Sequence, residues 1–463
     1  MEDTGFSIDR SIFRAYDIRG VVGQTLTPAT VWAVGAAFGS SAIEENCHTV
    51  VLARDGRLSS EDLLSALKAG IISTGCDVVD IGCVPTPVLY YATEHFKTGT
   101  GVMVTGSHNP PEYNGLKMML AGKCLAQSQI QALYERICQR NFQTGLGNAR
   151  VADISEDYVR QAVETVSIEK PLTVVVDAGN GVAGPLACDT MIKLGMSVIP
   201  LYCDIDGTFP NHHPNPSDTD SLKDLISVVQ QRQADIGLAF DGDGDRLGVV
   251  THEGQVIWPD QLLGIFAQSL LERKPGSTIV FDVKCSKQLA QTIEASGGVP
   301  LMSKTGHSLI KGTMKEHQSP LAGEMSGHFF FAENWFGFDD GILAAVRLME
   351  ILSKQSDLKS FWANIPQTVA TPEINVALPD EIKFEWMEAF KNSAEFPGGK
   401  KITIDGLRVE WPDGWGLVRV SNTTPCLVLR FEADSESALE RIKNVFKAQM
   451  SKVKLGEAIK ADF

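Results

Sequence analysis

The segment IGLAFDGDGDRLGVV sets three carboxylates, Asp241, Asp243 and Asp245, at alternate positions behind an apolar run. Unpaired, three aspartates this close would repel one another strongly, and a bound cation removes the problem. Gly242 and Gly244 let the loop curl until the three oxygens converge, and hard oxygen ligands select Mg2+ or Ca2+ over softer metals. The loop is not an EF-hand, which needs glycine at its sixth position, where Arg246 stands. Three carboxylates do not fill an octahedron, so Mg2+ would take further ligands from water and a phosphate group.

A second segment, GVMVTGSHNPPEYNGLKMM, puts Ser107 after an apolar strand and before Pro110 and Pro111. The prolines stiffen the chain and Gly106 permits a tight turn, so the hydroxyl is exposed and fixed. No GxSxG elbow surrounds it, which argues against a hydrolase triad. Charge counting joins the two segments. Three carboxylates with Mg2+ leave a charge of about −1, and a phosphoserine dianion would bring it to roughly −3. Arg246 follows the loop directly, and Arg19 (in FRAYDIRG), Lys117 and His108 are further sources of positive charge. A phosphoryl group between a metal and such cations is the arrangement phosphoryl transfer needs, because catalysis there is mostly positioning and charge stabilisation.

Three more loops offer polar groups beside glycines. GEMSGH (residues 323–328) carries Glu324, Ser326 and His328, and a carboxylate can accept hydrogen bonds from adjacent sugar hydroxyls. KTGHS adds Lys304 and His307, and FDVKCS adds Lys284. RVSNTTP combines Arg419, Ser421, Asn422, Thr423 and Thr424, a set able to cradle a phosphate. Taken singly, each is also compatible with an ordinary polar turn.

The elements that must position these loops share one plan. A β-branched strand ends in an acid three times: HTVVLARDGR at Asp55, LTVVVDAGNG at Asp177 and STIVFDVKCS at Asp282. Each leads into a helical stretch and a second strand (CDVVDIG, MSVIPLY, GVPLMS), and a third strand then carries a polar loop. Such alternation predicts α/β units with mainly parallel sheets, whose ligand loops lie beyond the carboxyl ends of the strands. The expected fold is therefore three similar mixed-sheet α/β domains (1–152, 153–255 and 256–367) and a C-terminal α+β domain (368–463) around a central cleft. The last domain reads as short strands and a closing helix, SESALERIKNVFKAQM, starting at Ser435.

At 463 residues the chain is long enough for three or four domains, with 43% hydrophobic and 21% charged residues. A formal charge of −16 repels nucleic acid and anionic lipid, so neither is an expected partner. Nine cysteines without a CxxC pair suit a reduced, cytoplasmic protein, and neither a signal peptide nor a membrane span is expected. Two segments mimic other motifs. GNGVAG (residues 179–184) fits the dinucleotide fingerprint, but the matching strand ends in the other two units lack such glycines, so a structural turn is expected. DIDGT (residues 204–208) fits a phosphatase motif with an aspartyl nucleophile, Asp204, and would leave the serine and aspartate loops unexplained.

In order along the chain, TGSHNP, DGDGDR, GEMSGH and RVSNTTP resemble the α-D-phosphohexomutase superfamily, most closely its bacterial phosphomannomutase/phosphoglucomutase branch. The resemblance spans the whole chain. It implies that Ser107 is the phosphoserine, and that Asp241, Asp243 and Asp245 hold Mg2+ together with an oxygen of that group. Arg19, His108, Lys117 and Arg246 would surround the transferring phosphoryl group. Glu324 and Ser326 would bind sugar hydroxyls with Lys284, His307 and His328 nearby, and Tyr16, Arg419, Ser421, Asn422 and Thr423 would grip the other phosphate. The implied reaction passes through a hexose 1,6-bisphosphate that turns over without leaving, on a monomeric enzyme acting on phosphorylated hexoses. His328, Lys117 and Arg19 are the candidates for the general acid or base. The competing readings are a metal-dependent phosphatase using Asp204 and a sugar-phosphate sensor that keeps the fold without catalysis.

Overall fold

Near-continuous valine and isoleucine in TVVLAR, TVVVD and TIVFD is what a strand covered on both faces requires. In the computed structural model, which describes residues 8–422 and 424–453, each of these segments is a central parallel strand. Thr49–Arg54 lies between Asp77–Cys83 and Gly101–Val104. Thr173–Asp177 lies between Ser197–Leu201 and Ile236–Phe240. Thr278–Asp282 lies between Val299–Ser303 and Leu321–Gly323. The strand on one side is always reached through a helix: Ser60–Ile72, Ala183–Lys193 or Lys287–Ala295. The strand on the other side always runs out into a polar loop, at Thr105, Asp241 or Glu324. The same plan is thus executed three times, and each loop leaves the carboxyl end of a strand adjoining the central one.

The sheets are mixed because the chain turns back after the loops in the first two repeats. Tyr113–Leu120 returns antiparallel to Gly101–Val104, and Leu247–Thr251 returns antiparallel to Ile236–Phe240. Val256–Ile257 then pairs with Leu247–Thr251, so the second sheet extends two residues past position 255. Chain contacts divide the molecule into two compact units, Met1–Leu262 with Ser326–Trp362, and Leu263–Met325 with Ala363–Phe463. Residues 326–362 join the first unit because the helix Gly341–Ser353 packs on Ala183–Lys193 and Ser155–Glu164.

The strand-end acids have a job in this plan. Asp55 Oδ2 accepts the amide of Gly106, next to Ser107, at 3.0 Å. Asp282 Oδ1 accepts the amide of Met325 in GEMSGH at 3.2 Å, and its Oδ2 accepts the Thr305 hydroxyl at 2.9 Å. Asp177 caps its own loop through the Gly179 amide and pairs with His212. Two of the three carboxylates therefore brace a loop across neighbouring strands, fixing its backbone relative to the sheet.

The second unit also contains an antiparallel sheet ordered Val369–Ala370, Cys426–Ala433, Gly414–Val420, Leu407–Trp411 and Lys400–Ile402, with Ile374–Ala377 also on Cys426–Ala433. The closing helix spans Glu436–Met450. Ser435 caps it by accepting the Ala438 amide, and Ala438, Leu439, Ile442, Phe446 and Met450 are buried on one face. A second helix, Asp380–Ser393, occupies a stretch for which no element was expected. Trp386, Met387 and Phe390 give its buried face, and their i, i+1, i+4 spacing is a helical signature hidden among charged neighbours. Among the described residues no helix is long and apolar enough to cross a membrane.

Phe446 is fully buried, with ring centroids 4.7 Å from Phe396 and 5.4 Å from Phe431. Phe446→Ala should cost about 3–5 kcal/mol of stability in this unit. Partly buried Val445 is the control, and its alanine variant should shift a denaturant-melting curve far less.

Candidate active site

Ser107 comes after a buried strand and sits in the left-handed backbone region at φ 49°, a conformation that costs a residue with a Cβ about 1–2 kcal/mol. Its surroundings hold it there. Its amide donates to Thr105 Oγ1 at 2.8 Å. Arg57, buried below the loop, donates from Nη2 to the carbonyls of Ser107 (2.8 Å) and Asn109 (2.5 Å). From Nη1 it donates to Pro110 (2.6 Å) and Tyr113 (3.0 Å). Its Nε pairs with Asp55 at 3.3 Å. A Cβ on Gly106 would fall 2.4 Å from this guanidinium, so the loop can lie on the arginine only because that residue is glycine. The serine itself is 2% exposed rather than openly presented. Arg57 was invisible as a site residue in the sequence.

The hydroxyl of Ser107 donates to Asp241 Oδ2 at 3.1 Å, so the serine and aspartate loops, 134 residues apart, meet. Gly242 makes the approach possible, since a Cβ there would come within 2.3 Å of the Ser107 carbonyl oxygen. Gly244 turns at φ +75°. The carboxylate oxygens of Asp241, Asp243 and Asp245 converge within 4.8 Å, and all three side chains are fully buried. Burial, then the neighbouring Asp245 and Asp243, pushes the Asp241 carboxyl well above the ordinary carboxylate range. Lys117 answers part of this charge. Its ammonium donates to Asp243 Oδ2 at 2.8 Å and to Asp245 Oδ2. Thr86, another residue the sequence gave no reason to single out, donates its hydroxyl to Asp243 Oδ2 at 2.5 Å. Asp243 Oδ1 is buried with no hydrogen-bond partner. An orphaned buried carboxylate oxygen at the meeting point of three hard ligands fits a divalent cation of the Mg2+ kind.

Two more cations close on the same point. Arg246 Nε lies 3.6 Å from Asp241 Oδ2 and 3.3 Å from His328 Nε2. His328 Nε2 is also 3.3 Å from Asp245 Oδ1, while its Nδ1 meets the Ser326 hydroxyl at 2.8 Å. The ring can thus accept from Arg246 when neutral and donate to Asp245 when protonated. His108 Nδ1 is 3.2 Å from Ser107 Oγ. Burial, then the charges of Arg246, Arg19 and Lys117, holds the His108 imidazole well below its ordinary value, so it is neutral near pH 7. Arg19 is paired with Asp17 at 2.6 Å. Tyr16 is buried close by in sequence.

The second unit gathers the remaining expected residues. Lys284 pairs with Glu373, a contact the sequence did not suggest. Burial works against the charge on Lys284, but Glu373 and Asp282 outweigh it and raise its basicity. Glu324 Oε1 accepts the Gly306 amide at 2.5 Å, and His307 starts the next helix, with its Nδ1 3.4 Å from Lys311. Arg419 Nε donates to Asp405 Oδ2 at 2.9 Å, and the same oxygen accepts the Thr305 amide at 3.1 Å. In the SNTTP turn, Ser421 Oγ lies 2.7 Å from Thr424 Oγ1 and accepts the Thr424 amide at 3.1 Å. Lys383, buried on the unexpected helix, donates to the carbonyls of Ser421 (2.8 Å) and Thr424 (3.1 Å), turning both inward at the two ends of the turn. Asn422 is partly buried on the turn, and Thr423 lies outside the described residues.

The two mimicking motifs have structural explanations. In GNGVAG, a Cβ on Gly181 would come 3.0 Å from the Gly242 carbonyl oxygen and one on Gly184 would come 2.3 Å from that of Cys203, so close backbone packing explains both glycines. In DIDGT, Asp204 is exposed, Gly207 lies against the backbone of Gly56 to Leu58, and the next residue, Phe209, stacks under Arg57 at 5.1 Å. This turn is a second support for the arginine beneath Ser107.

Comparison with known proteins matches nearly the whole chain. Models described as phosphoglucomutase/phosphomannomutase, alpha/beta/alpha domains I, II and III, match residues 10–144, 156–254 and 258–369, and the C-terminal domain model matches 373–449. The chain is 53% identical over 448 residues to a phosphomannomutase/phosphoglucomutase of Pseudomonas aeruginosa, covering 96% of this chain and 97% of that one. It is 49% identical over 446 residues to a phosphoglucomutase of Neisseria meningitidis serogroup A, covering 96% and 97%. A crystal structure of a phosphoglucomutase/phosphomannomutase family protein from Burkholderia thailandensis superposes with a TM-score of 0.93 at 48% identity, covering 97% of this chain and 99% of that one.

The geometry predicts that Asp243→Asn abolishes the stabilisation by Mg2+ seen in a thermal-shift titration. Gly242→Ala should displace the serine loop, cost about 1–3 kcal/mol and weaken the same Mg2+ response. An unchanged response in both variants would remove the cation from this loop.

Proposed function

The chain belongs to the phosphoglucomutase/phosphomannomutase family, and we propose that it moves phosphate between the 1- and 6-positions of mannose and glucose phosphates through phospho-Ser107 and a hexose 1,6-bisphosphate. It is an isomerase of the phosphohexomutase kind. The observation that carries the serine's role is the 3.1 Å contact between Ser107 Oγ and the buried aspartate loop. A hydroxyl there is within reach of the phosphoryl group it would carry and of the charges that would stabilise it.

In this reading Asp241, Asp243 and Asp245, with an oxygen on Ser107, hold Mg2+, whose chemistry is to neutralise phosphoryl charge. Arg57 and Thr105 keep the serine in its strained conformation, so little reorganisation is needed when it is charged or discharged. Arg246, Lys117 and Arg19 supply the remaining positive charge. The attacking sugar hydroxyl must lose a proton. Lys117 is committed to two carboxylates and Arg19 to Asp17, while His328 can accept at Nε2, which makes His328 the preferred base. Ser326 would orient that ring through Nδ1.

The second unit would recognise the rest of the substrate. Glu324, His307 and Lys284 are assigned to sugar hydroxyls. Arg419, Ser421, Asn422 and Thr423 are assigned to the phosphate that is not reacting. One grip must accept either end of the bisphosphate as it turns, which a phosphate site does and a sugar-specific site would not. The fourfold division at 152, 255 and 367, the cytoplasmic location and the monomeric state belong to the same proposal. Support for the location comes from nine cysteines of which none is in a disulfide.

Ser107→Ala should lower turnover of glucose 1-phosphate by roughly 10³-fold or more while leaving the melting temperature close to that of the parent. Mass spectrometry of the parent should find an acid-stable phosphate on Ser107, whereas a hydroxylamine-labile one on Asp204 would refute the serine relay. Arg419→Ala should raise KM for either 1-phosphate more than it lowers kcat. Lys383→Met should do the same to a smaller degree, because it frees the carbonyls that shape the turn. Unchanged KM in both would remove the SNTTP turn from the phosphate grip.

A further inference from the structure

The two mimicking motifs meet at a pair of thiols. Cys188, on the helix Ala183–Lys193 that begins in GNGVAG, has its Sγ 3.5 Å from Sγ of Cys203, the residue before DIDGT. Both side chains are partly exposed, so a small oxidant can reach them. The helix lies directly against the backbone of Cys203 at Gly184, one helical turn before Cys188. Closing 3.5 Å to the roughly 2.05 Å of a disulfide therefore needs side-chain rotation and a shift of about 1.5 Å at the sulfurs. The turn after Cys203 is tied to the serine loop. Its Gly207 and Phe209 press on the Gly56–Leu58 backbone and on the Arg57 guanidinium, which holds Ser107 in place. On the other side, the loop leading into the Cys188 helix packs against Gly242 of the aspartate loop, where Val182 donates to the Gly242 carbonyl at 3.2 Å.

We propose that Cys188 and Cys203 form a reversible disulfide with peroxide as oxidant, and that this bond lowers turnover by tying the helix to the turn that seats Arg57. The chemistry assigns the two sulfurs different parts. Cys203 Sγ faces the carbonyl oxygens of Val176 (3.2 Å) and Leu201 (3.4 Å), and the neighbouring Cys188 and burial push its thiol above the ordinary range, so it keeps its proton. Cys188, hydrogen-bonded to Cys203 Sγ at 3.5 Å, is the sulfur held below the ordinary thiol range by that contact. The Cys188 thiolate attacks hydrogen peroxide, an S–O bond forms as the O–O bond breaks, and the released hydroxide takes a proton to leave as water. Cys203 then attacks the sulfenic sulfur. An S–S bond forms, the S–O bond breaks, and the hydroxyl leaves with the Cys203 proton as a second water. Two thiols are oxidised and one peroxide is reduced to two waters, and a dithiol reductant reverses the change.

The test uses the full-length chain, reduced, desalted and treated with a small excess of hydrogen peroxide. A non-reducing digest should yield a peptide pair linked through Cys188 and Cys203, lighter by two hydrogens than the free peptides. Turnover of glucose 1-phosphate should fall by about twofold or more and recover with dithiothreitol. Cys188→Ala, a conservative change on a helix, should form no such link and should resist the loss. The proposal fails if both thiols remain alkylatable after treatment, if Cys188 gains oxygen without a cross-link, or if the cross-linked protein turns over at the parent rate. The parent measurement alone decides the cross-link, so a poorly folding variant does not obscure the answer.

Discussion

Three carboxylates buried within 4.8 Å of one another are the constraint on which the rest of the first unit depends. At an effective dielectric of about 20, each pair of full charges at that distance repels by about 3–4 kcal/mol. The structure responds with Lys117 on two of the aspartates, Arg246 against the third, and an oxygen of Asp243 left without a partner.

The serine is held by the same kind of compensation. A left-handed, nearly buried Ser107 is unfavourable in isolation, and donors aimed at its own loop offset the strain. Four of the Arg57 hydrogen bonds go to carbonyls of the one loop, and Asp55 fixes both the arginine and the Gly106 amide. Rigidity is placed beneath the reacting atom rather than around it. The turn at residues 204–209, which looks like a nucleophile motif in the sequence, serves this support.

The second unit solves a related problem with backbone atoms. Lys383 draws the carbonyls at both ends of the SNTTP turn toward a buried ammonium, and Asp405 joins Arg419 to the Thr305 amide. Buried Lys284 is paired with Glu373, an exposed carboxylate from a distant part of the chain. In each case a buried charge is satisfied by a partner that also fixes a loop, which is how such charges become tolerable in a low-dielectric interior.

What could be read from residue order alone was whatever depends on near neighbours. The spacing of Asp241, Asp243 and Asp245, the glycines between them, the acid-ended strands and the Ser435 helix are local patterns, and local patterns set secondary structure and loop chemistry directly. The helix at Asp380–Ser393 escaped because its apolar spacing is thin, and with it went Lys383. Arg57, Thr86 and Glu373 escaped for a stronger reason. Their roles exist only through contacts with Ser107, Asp243 and Lys284 across 50, 157 and 89 positions of chain, and no short-range pattern encodes such a meeting. Why Gly242 must be a glycine was likewise decided in three dimensions, where its hydrogen faces the carbonyl of Ser107 and a methyl group would have no room.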